Sequence, residues 1–225
     1  MSIWIKICAN TSLEDALLAA KAGADAVGFV FAPSPRRVTA EQVAAIVPHL
    51  PVSVEKIGVF VEATLEEIVS TVEACGLTGV QLHFDADSEL PARLHERLGP
   101  ELRILRVIHY DAATAIQCAA QIAMCNLDLH ADAVLVDSSV SAAAGGSGKT
   151  FDWTAARKTL FQNAEARKRL VAAGGLSPAN VAEAIAALRP WGVDVVSGVE
   201  AAPGRKDPAK VRDFVSRARM AFDAL

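Results

Sequence analysis

The sequence predicts an α/β fold, a single-domain (β/α)8 TIM barrel with a parallel sheet over residues 1–225, and three observations carry that expectation. Short β-branched runs alternate with longer helical patterns from one end to the other, the pattern of a parallel sheet with its helices outside. Eight such units are countable in 225 residues, about 28 residues each, near the smallest βαβ repeat. No linker, low-complexity tract or break in composition divides them. The count of eight favours a closed barrel over an open doubly wound sheet.

Taken in order, Trp4–Cys8 reads as the first strand and Leu13–Ala22 as an alanine-rich helix ending at Gly23. Ala26–Phe31 is the second strand, and a Pro33-Ser34-Pro35 loop leads to the helix Ala40–Val47. Lys56–Val61 and Leu65–Cys75 repeat the unit, with Thr64 as N-cap. Gly79–His83 with Glu89–Leu98 is the fourth unit, and Arg103–His109 with Ala112–Cys125 the fifth. The sixth strand, Ala133–Asp137, enters a long loop over residues 138–150 before the helix Trp153–Lys168. Leu170–Ala173 is the seventh strand, its helix starting near Pro178, whose fixed φ suits a first turn. Val193–Ser197 is the eighth, and Pro208–Ala224 the final helix.

An apolar content of 52% is enough for a sizeable core and excludes a disordered chain. With a net charge of −4 there is no basic footprint, so no nucleic-acid partner is expected. An anionic ligand is still compatible, because backbone N–H groups at helix N-termini hold anions without a basic protein. Cys8, Cys75, Cys118 and Cys125 form no C-x-x-C pair and have no His at ligand spacing, so no zinc or other metal is expected. Loosely spaced thiols suit a reducing compartment. The start of the chain has no basic segment followed by a long apolar run, and no run approaches the ~20 residues of a membrane span, so the expectation is a cytoplasmic protein without a membrane partner. The sequence does not distinguish a monomer from a homodimer.

In a barrel, functional groups sit at the C-terminal ends of strands. That rule nominates Cys8, the Phe31–Arg37 loop, His83, Asp137 with its loop, Gly174-Gly175 and Ser197-Gly198. The glycines are physically the most specific. Gly145-Gly146-Ser147-Gly148-Lys149-Thr150 precedes a helix, and the other two clusters follow strands seven and eight, where barrels recurrently build a phosphate site. Glycine lets successive N–H groups point at one anion, although ordinary turns also use it. Gly145–Thr150 departs from a nucleotide P-loop because Ala143 stands where its first glycine belongs.

Cys8 reads either as a small buried hydrophobe or as a reactive thiol, which would need a positive neighbour; alternation puts Lys6 on its face of the strand. Asp137 ends an otherwise apolar strand, so its carboxylate either caps the following loop or does chemistry. Arg36 and Arg37 suit a solvated loop, or a bidentate clamp on a substrate carboxylate. His83 and His109 read as strand-end polar residues, and Phe151 and Trp153 as packing beneath the long loop.

Together these segments resemble the phosphoribosylanthranilate isomerase family, barrel enzymes of tryptophan biosynthesis. The likeness runs from Ile5 to about Phe214. It rests on Lys6-Ile7-Cys8, Leu13-Glu14-Asp15-Ala16, Gly23–Phe31, Ser34-Pro35-Arg36, Gly58-Val59-Phe60-Val61 and Val80-Gln81-Leu82-His83. Asp137-Ser138, Gly145–Trp153, Gly174–Val181, Val193-Asp194-Val195, Ser197-Gly198-Val199-Glu200, Pro203-Gly204 and Lys206-Asp207 complete it. The order and coverage of these blocks make the resemblance specific.

The resemblance implies an Amadori rearrangement of a phosphorylated small molecule, N-(5'-phosphoribosyl)anthranilate, with no cofactor. Asp137 would be the general acid on the furanose ring oxygen, and Cys8 the general base at C2'. Arg36 would hold the anthranilate carboxylate, Asp194 would contact the substrate nearer the ring, and His83 falls among the substrate-binding residues. Gly146, Gly148, Gly174, Gly175, Ser197 and Gly198 would bind the phosphate.

Three positions depart from the family pattern. Ala9 stands where Gly usually follows the Cys; if the backbone there needs positive φ, Ala costs roughly 1 kcal/mol or shifts Cys8. Phe84 replaces a typical Gly after Gln-Leu-His, and Val196 a common Ser before Ser197. Two other readings compete. A related histidine-pathway sugar-phosphate isomerase uses Asp where Cys8 stands, so the thiol argues against it. A phosphate-binding barrel without catalysis is compatible with Ala9 and Phe84, whereas Cys8, Asp137 and Arg36 argue against it.

Overall fold

The computed structural model describes residues 2–83, 87–110, 112–137, 153–161 and 169–225. Among them, eight parallel strands close into a barrel in chain order, β1 (Trp4–Ile7), β2 (Ala26–Val30), β3 (Glu55–Phe60), β4 (Gly79–His83), β5 (Arg103–His109), β6 (Ala133–Asp137), β7 (Arg169–Ala173) and β8 (Gly192–Val195). Closure is made by β8 on β1, in the register Trp4↔Gly192 to Ile7↔Val195. The connecting helices are α1 (Leu13–Lys21), α2 (Ala40–Ile46), α3 (Leu65–Cys75), α4 (Leu90–Leu98), α5 (Ala115–Leu127), α6 (Trp153–Ala156), α7 (Val181–Leu188) and α8 (Pro208–Asp223).

Helix starts follow local chemistry. Thr39 and Thr64 form reciprocal capping boxes with Gln42 and Glu67, and Asp207 accepts from the N–H groups of Ala209 and Lys210 with Pro208 opening the helix. α3 ends at Gly76 with φ +65, the left-handed turn that glycine adopts without a Cβ clash.

Strand alternation sorts the core into layers. On β1, Ile5 and Ile7 face the helices, while Trp4 joins Ala26, Ile57, Leu105, Leu135 and Val171 inside the barrel. The interior is therefore packed rather than hollow, as barrels of eight strands are. Trp4 stacks on Trp191 with centroids 5.2 Å apart at the end of the barrel opposite the strand C-termini.

The expected strands are all present, with ends moved by one or two residues. Four larger differences stand out. The seventh helix begins at Val181 instead of Pro178, because Asn180 accepts from Ser177 N–H and donates to the Gly175 carbonyl, holding residues 177–180 in a turn. The fifth helix begins with a 3-10 turn, Ala112–Thr114, and α6 passes into a π turn over Arg157–Phe161; residues 162–168 of the expected helix lie outside the described residues. After β8 an unanticipated antiparallel hairpin forms from β9 (Glu200–Ala202) and β10 (Arg205–Lys206), strands too short for any periodicity.

Barrel closure predicts a sensitive glycine. A Cβ at Gly192 would meet the Trp4 carbonyl at 2.8 Å and its ring at 2.9 Å. Gly192→Ala is expected to destabilise the fold by about 1–3 kcal/mol in urea unfolding; unchanged stability would show that the β1–β8 seam gives way freely.

Candidate active site

The first strand delivers two inward polar groups to one end of the barrel. Lys6 is completely buried, and its Nζ donates to Gln81 Oε1 at 2.8 Å and to Asp194 Oδ1 at 2.9 Å. Both partners come from strands of the same sheet, β4 and β8, so the contact spans the interior. Burial disfavours the ammonium, but Asp194 and Cys8 outweigh it and raise the Lys6 pKa above the ordinary lysine value. Cys8 lies just past β1, 3% exposed, with its N–H on the Val195 carbonyl at 2.9 Å. Burial pushes the thiol up; Lys6 opposes that, Asp194 adds to it, and Lys206 opposes it.

Ala9 follows with φ +60, the conformation that the glycine of similar proteins would adopt without strain. Asn10 imposes it. Buried Asn10 donates its backbone N–H to the Gly28 carbonyl at 2.9 Å and its side-chain amide to Ile7 O at 2.8 Å. These bonds fix the turn that presents the thiol.

Asp137 ends β6 on the same inward parity as Ala133 and Leu135. Its neighbour in register is Ala173 on β7, and Ala172 pairs with Val193, the residue before Asp194. Asp137 and Asp194 therefore stand at one level, two strands apart. Burial raises the Asp194 carboxyl against the pull of Lys6, and the Asp137 carboxyl adds to that rise. Asp194 bonds Lys6, two residues before Cys8 on the same inward face, and stands level with Asp137, so thiol and carboxyl belong to one end of the barrel. On the other side of Asp137, His109 is its register partner, and the His109 and His83 rings approach at 3.1 Å between Nε2 and Nδ1. A cavity of about 800 Å³ opens beside them, bounded by Phe60, Leu82 and Arg93.

Arg36 corrects one expectation. The pair was read as a solvated loop or a clamp; Arg37 is exposed, but Arg36 is buried and holds Glu200 through Nε at 2.8 Å and Nη2 at 2.7 Å. Lys206 joins this group at 3.4 Å from Glu200 Oε1 and donates to the Cys8 carbonyl at 2.6 Å. Burial pushes the Glu200 carboxyl up, yet Arg36 and Lys206 outweigh it and hold it below the usual range. The hairpin that carries Glu200 and Lys206 is therefore a buckle between the loop after β2 and the backbone of Cys8.

The glycine loops after β7 and β8 meet. Gly174 and Gly175 have φ +86 and +63, and a Cβ on Gly198 would fall 1.9 Å from the Leu176 carbonyl. Only glycine permits that approach, and Ser197 beside it in the chain is half-buried. Gly146, Gly148 and Phe84 lie outside the described residues, as does Phe151; Trp153 is half-buried and packs on the core.

Sequence reasoning singled out neither Asn10, Gln81, Glu200 nor Lys206 as part of the site. Each is a polar residue that tertiary structure buries to 7% exposure or less. Gln81, Glu200 and Lys206 sat inside the quoted blocks, so the signal was their polarity within an otherwise apolar or turn context.

Residues 5–217 match the family described as N-(5'phosphoribosyl)anthranilate (PRA) isomerase. The chain is 43% identical to the N-(5'-phosphoribosyl)anthranilate isomerase of Pelobacter propionicus over 218 residues, 96% of each chain. It superposes on the phosphoribosyl anthranilate isomerase of Thermotoga maritima with a TM-score of 0.82 and 36% identity, covering 97% of this chain and 99% of that one. A further phosphoribosyl anthranilate isomerase structure, solved in complex with reduced 1-(o-carboxyphenylamino)-1-deoxyribulose 5-phosphate, is 33% identical with a TM-score of 0.77 over 97% of this chain and 99% of that one.

The strained Ala9 yields a stability prediction. Ala9→Gly removes the left-handed Cβ clash at the price of a freer unfolded chain, so a net gain of up to about 1 kcal/mol is expected in thermal or urea unfolding. A loss of stability would show that φ +60 is not strained there.

Proposed function

Because this chain belongs to the N-(5'-phosphoribosyl)anthranilate isomerase family, we propose that Cys8 and Asp137 divide between them the two proton transfers of an Amadori rearrangement. The protein is an isomerase of tryptophan biosynthesis acting on a phosphorylated small molecule. The observation that supports the residue roles is their common barrel end: Cys8 follows the inward Lys6, which Asp194 meets at 2.9 Å, and Asp194 stands level with Asp137.

The chemistry runs from N-(5'-phosphoribosyl)anthranilate to 1-(2-carboxyphenylamino)-1-deoxyribulose 5-phosphate. Asp137, as the carboxylic acid, protonates the furanose ring oxygen while the ring C–O bond breaks, and the anthranilate nitrogen lone pair forms the iminium. The iminium makes the C2' proton acidic. Cys8, as thiolate, removes it, and the C–H electrons form the enolamine, which tautomerises to the ketone. The nitrogen itself is the electron sink. Substrate and product are isomers, so the proton given at the start is balanced by the one taken.

The working form of the base is the thiolate, the minor form of an ordinary thiol at neutral pH, and any group that stabilises it raises its share.

Arg36, its guanidinium oriented by Glu200 through Nε and Nη2, holds the anthranilate carboxylate. Asp194 contacts the substrate nearer the ring, and His83 lines the cavity side of the mouth. The rim formed by Gly174, Gly175, Ser197 and Gly198, with Gly146 and Gly148 of the preceding loop, takes the phosphate through backbone N–H groups. Four cysteines outside any disulfide agree with a cytoplasmic enzyme.

Cys8→Ala and Asp137→Asn are each expected to lower kcat by at least ~10²-fold with the fold intact by circular dichroism, measured through the loss of anthranilate fluorescence. A near-normal kcat in either variant removes that residue from its role. Arg36→Met is expected mainly to raise KM, because it deletes a ground-state contact; a fall in kcat at constant KM would count against a carboxylate clamp.

A further inference from the structure

Lys6 is a fully buried cation that the proton transfers leave without a task. A buried ammonium is costly, and an apolar pair of similar volume would often serve stability as well. Its surroundings suggest a use. Two of its three N–H donors are directed at Gln81 and Asp194. The Cys8 sulfur and Lys6 Cε both crowd the single spot that a side chain on Gly28 would fill, at 2.5 Å and 3.1 Å from where its Cβ would lie. The thiol and the carbon that carries the ammonium thus border one small space, the place of the methyl group that Gly28 lacks. At that separation the ammonium favours the thiolate over the thiol.

We propose that Lys6 is the counter-ion of the Cys8 thiolate, a positioning residue whose ammonium is shared between that sulfur and the Asp194 carboxylate. The proposal deepens the reading of Cys8 as the base and rests on it. When the sulfur carries its proton, Asp194 takes the ammonium; when the proton leaves, the thiolate competes for it. The thiolate that does the work is stabilised by this competition. The charged groups around the sulfur are consistent with this. Lys6 on β1, Arg36 after β2 and Lys206 on β10 supply three positive charges, against the carboxyl groups of Asp137 on β6, Asp194 on β8 and Glu200 on β9. Glu200 is engaged by Arg36 and Lys206, which leaves Asp194 as the anion that bears on Lys6. Gly28 leaves the space between thiol and lysine open to both groups.

The inference predicts opposite effects from neighbouring substitutions. Removing the competitor, Asp194→Asn, frees the ammonium for the thiolate. Removing Lys6 as well takes the counter-ion away, and neither change leaves an unpaired carboxylate buried. The measurement is the Cys8 titration in the absence of substrate, followed by the thiolate's ultraviolet absorbance against the same variant carrying Cys8→Ser. The Asp194→Asn protein is expected to titrate at least about one pH unit below the Asp194→Asn, Lys6→Met double variant, the range an adjacent opposite charge produces. Should the double variant fail to fold, Lys6→Gln in the Asp194→Asn background makes the same comparison. Equal midpoints, or the reverse order, would overturn the proposal, because a lysine with a purely structural role would shift the melting temperature and not the thiol. The titration does not depend on turnover. Full activity in Cys8→Ala would therefore strike the base assignment, whereas coincident midpoints beside an inactive Cys8→Ala would strike Lys6 alone.

Discussion

The pairing of β8 with β1 is the constraint on which the rest depends. It closes the barrel, and in doing so it sets Lys6 opposite Asp194 across the seam, with the ammonium and carboxylate 2.9 Å apart. An unclosed sheet of the same strands would leave both groups on an edge, where water would screen them and neither would feel Cys8. Inside the barrel the local dielectric is low, so a single charge weighs heavily on its neighbours. That is why one lysine, one aspartate and one thiol form an electrically connected set.

Beside this set lies a second, built by the short hairpin after β8. Glu200 holds Arg36, and Lys206 holds both Glu200 and the Cys8 carbonyl. The two groups flank the same turn, whose conformation Asn10 enforces against the preference of Ala9. Strain at Ala9 is tolerated because the surrounding hydrogen bonds over-determine it. A thiol held this way can be aimed at a substrate carbon, whereas a strand-end cysteine without such support would move with its loop. The glycine loops after β7 and β8 serve the adjacent task, with Gly198 against the Leu176 carbonyl bringing two rims together at the place where barrels commonly hold phosphate.

Much of this was legible from residue order. The eight strands, the Thr64 cap and the rim positions of Cys8, Asp137 and the glycine pairs follow from periodicity and turn chemistry, which are local properties. Less legible were the residues whose partners are distant in the chain. Arg36 reads from sequence as a solvated loop residue or a clamp because Glu200, the partner that buries it, lies 164 positions away. The β9–β10 hairpin was missed for a related reason, since strands of three and two residues have no period to detect.

The sequence alone determined the alternation of strands and helices, and through it the end of the sheet where chemistry belongs, because side-chain direction along a strand is set two residues at a time. It also placed Lys6 and Cys8 on one face. Only the tertiary structure decided which charges meet: Lys6 with Asp194 and Gln81, Arg36 with Glu200, Lys206 with the backbone of Cys8. Those pairings join separate strands and loops around a closed ring, and their existence depends on how the ring shuts, which no local pattern encodes.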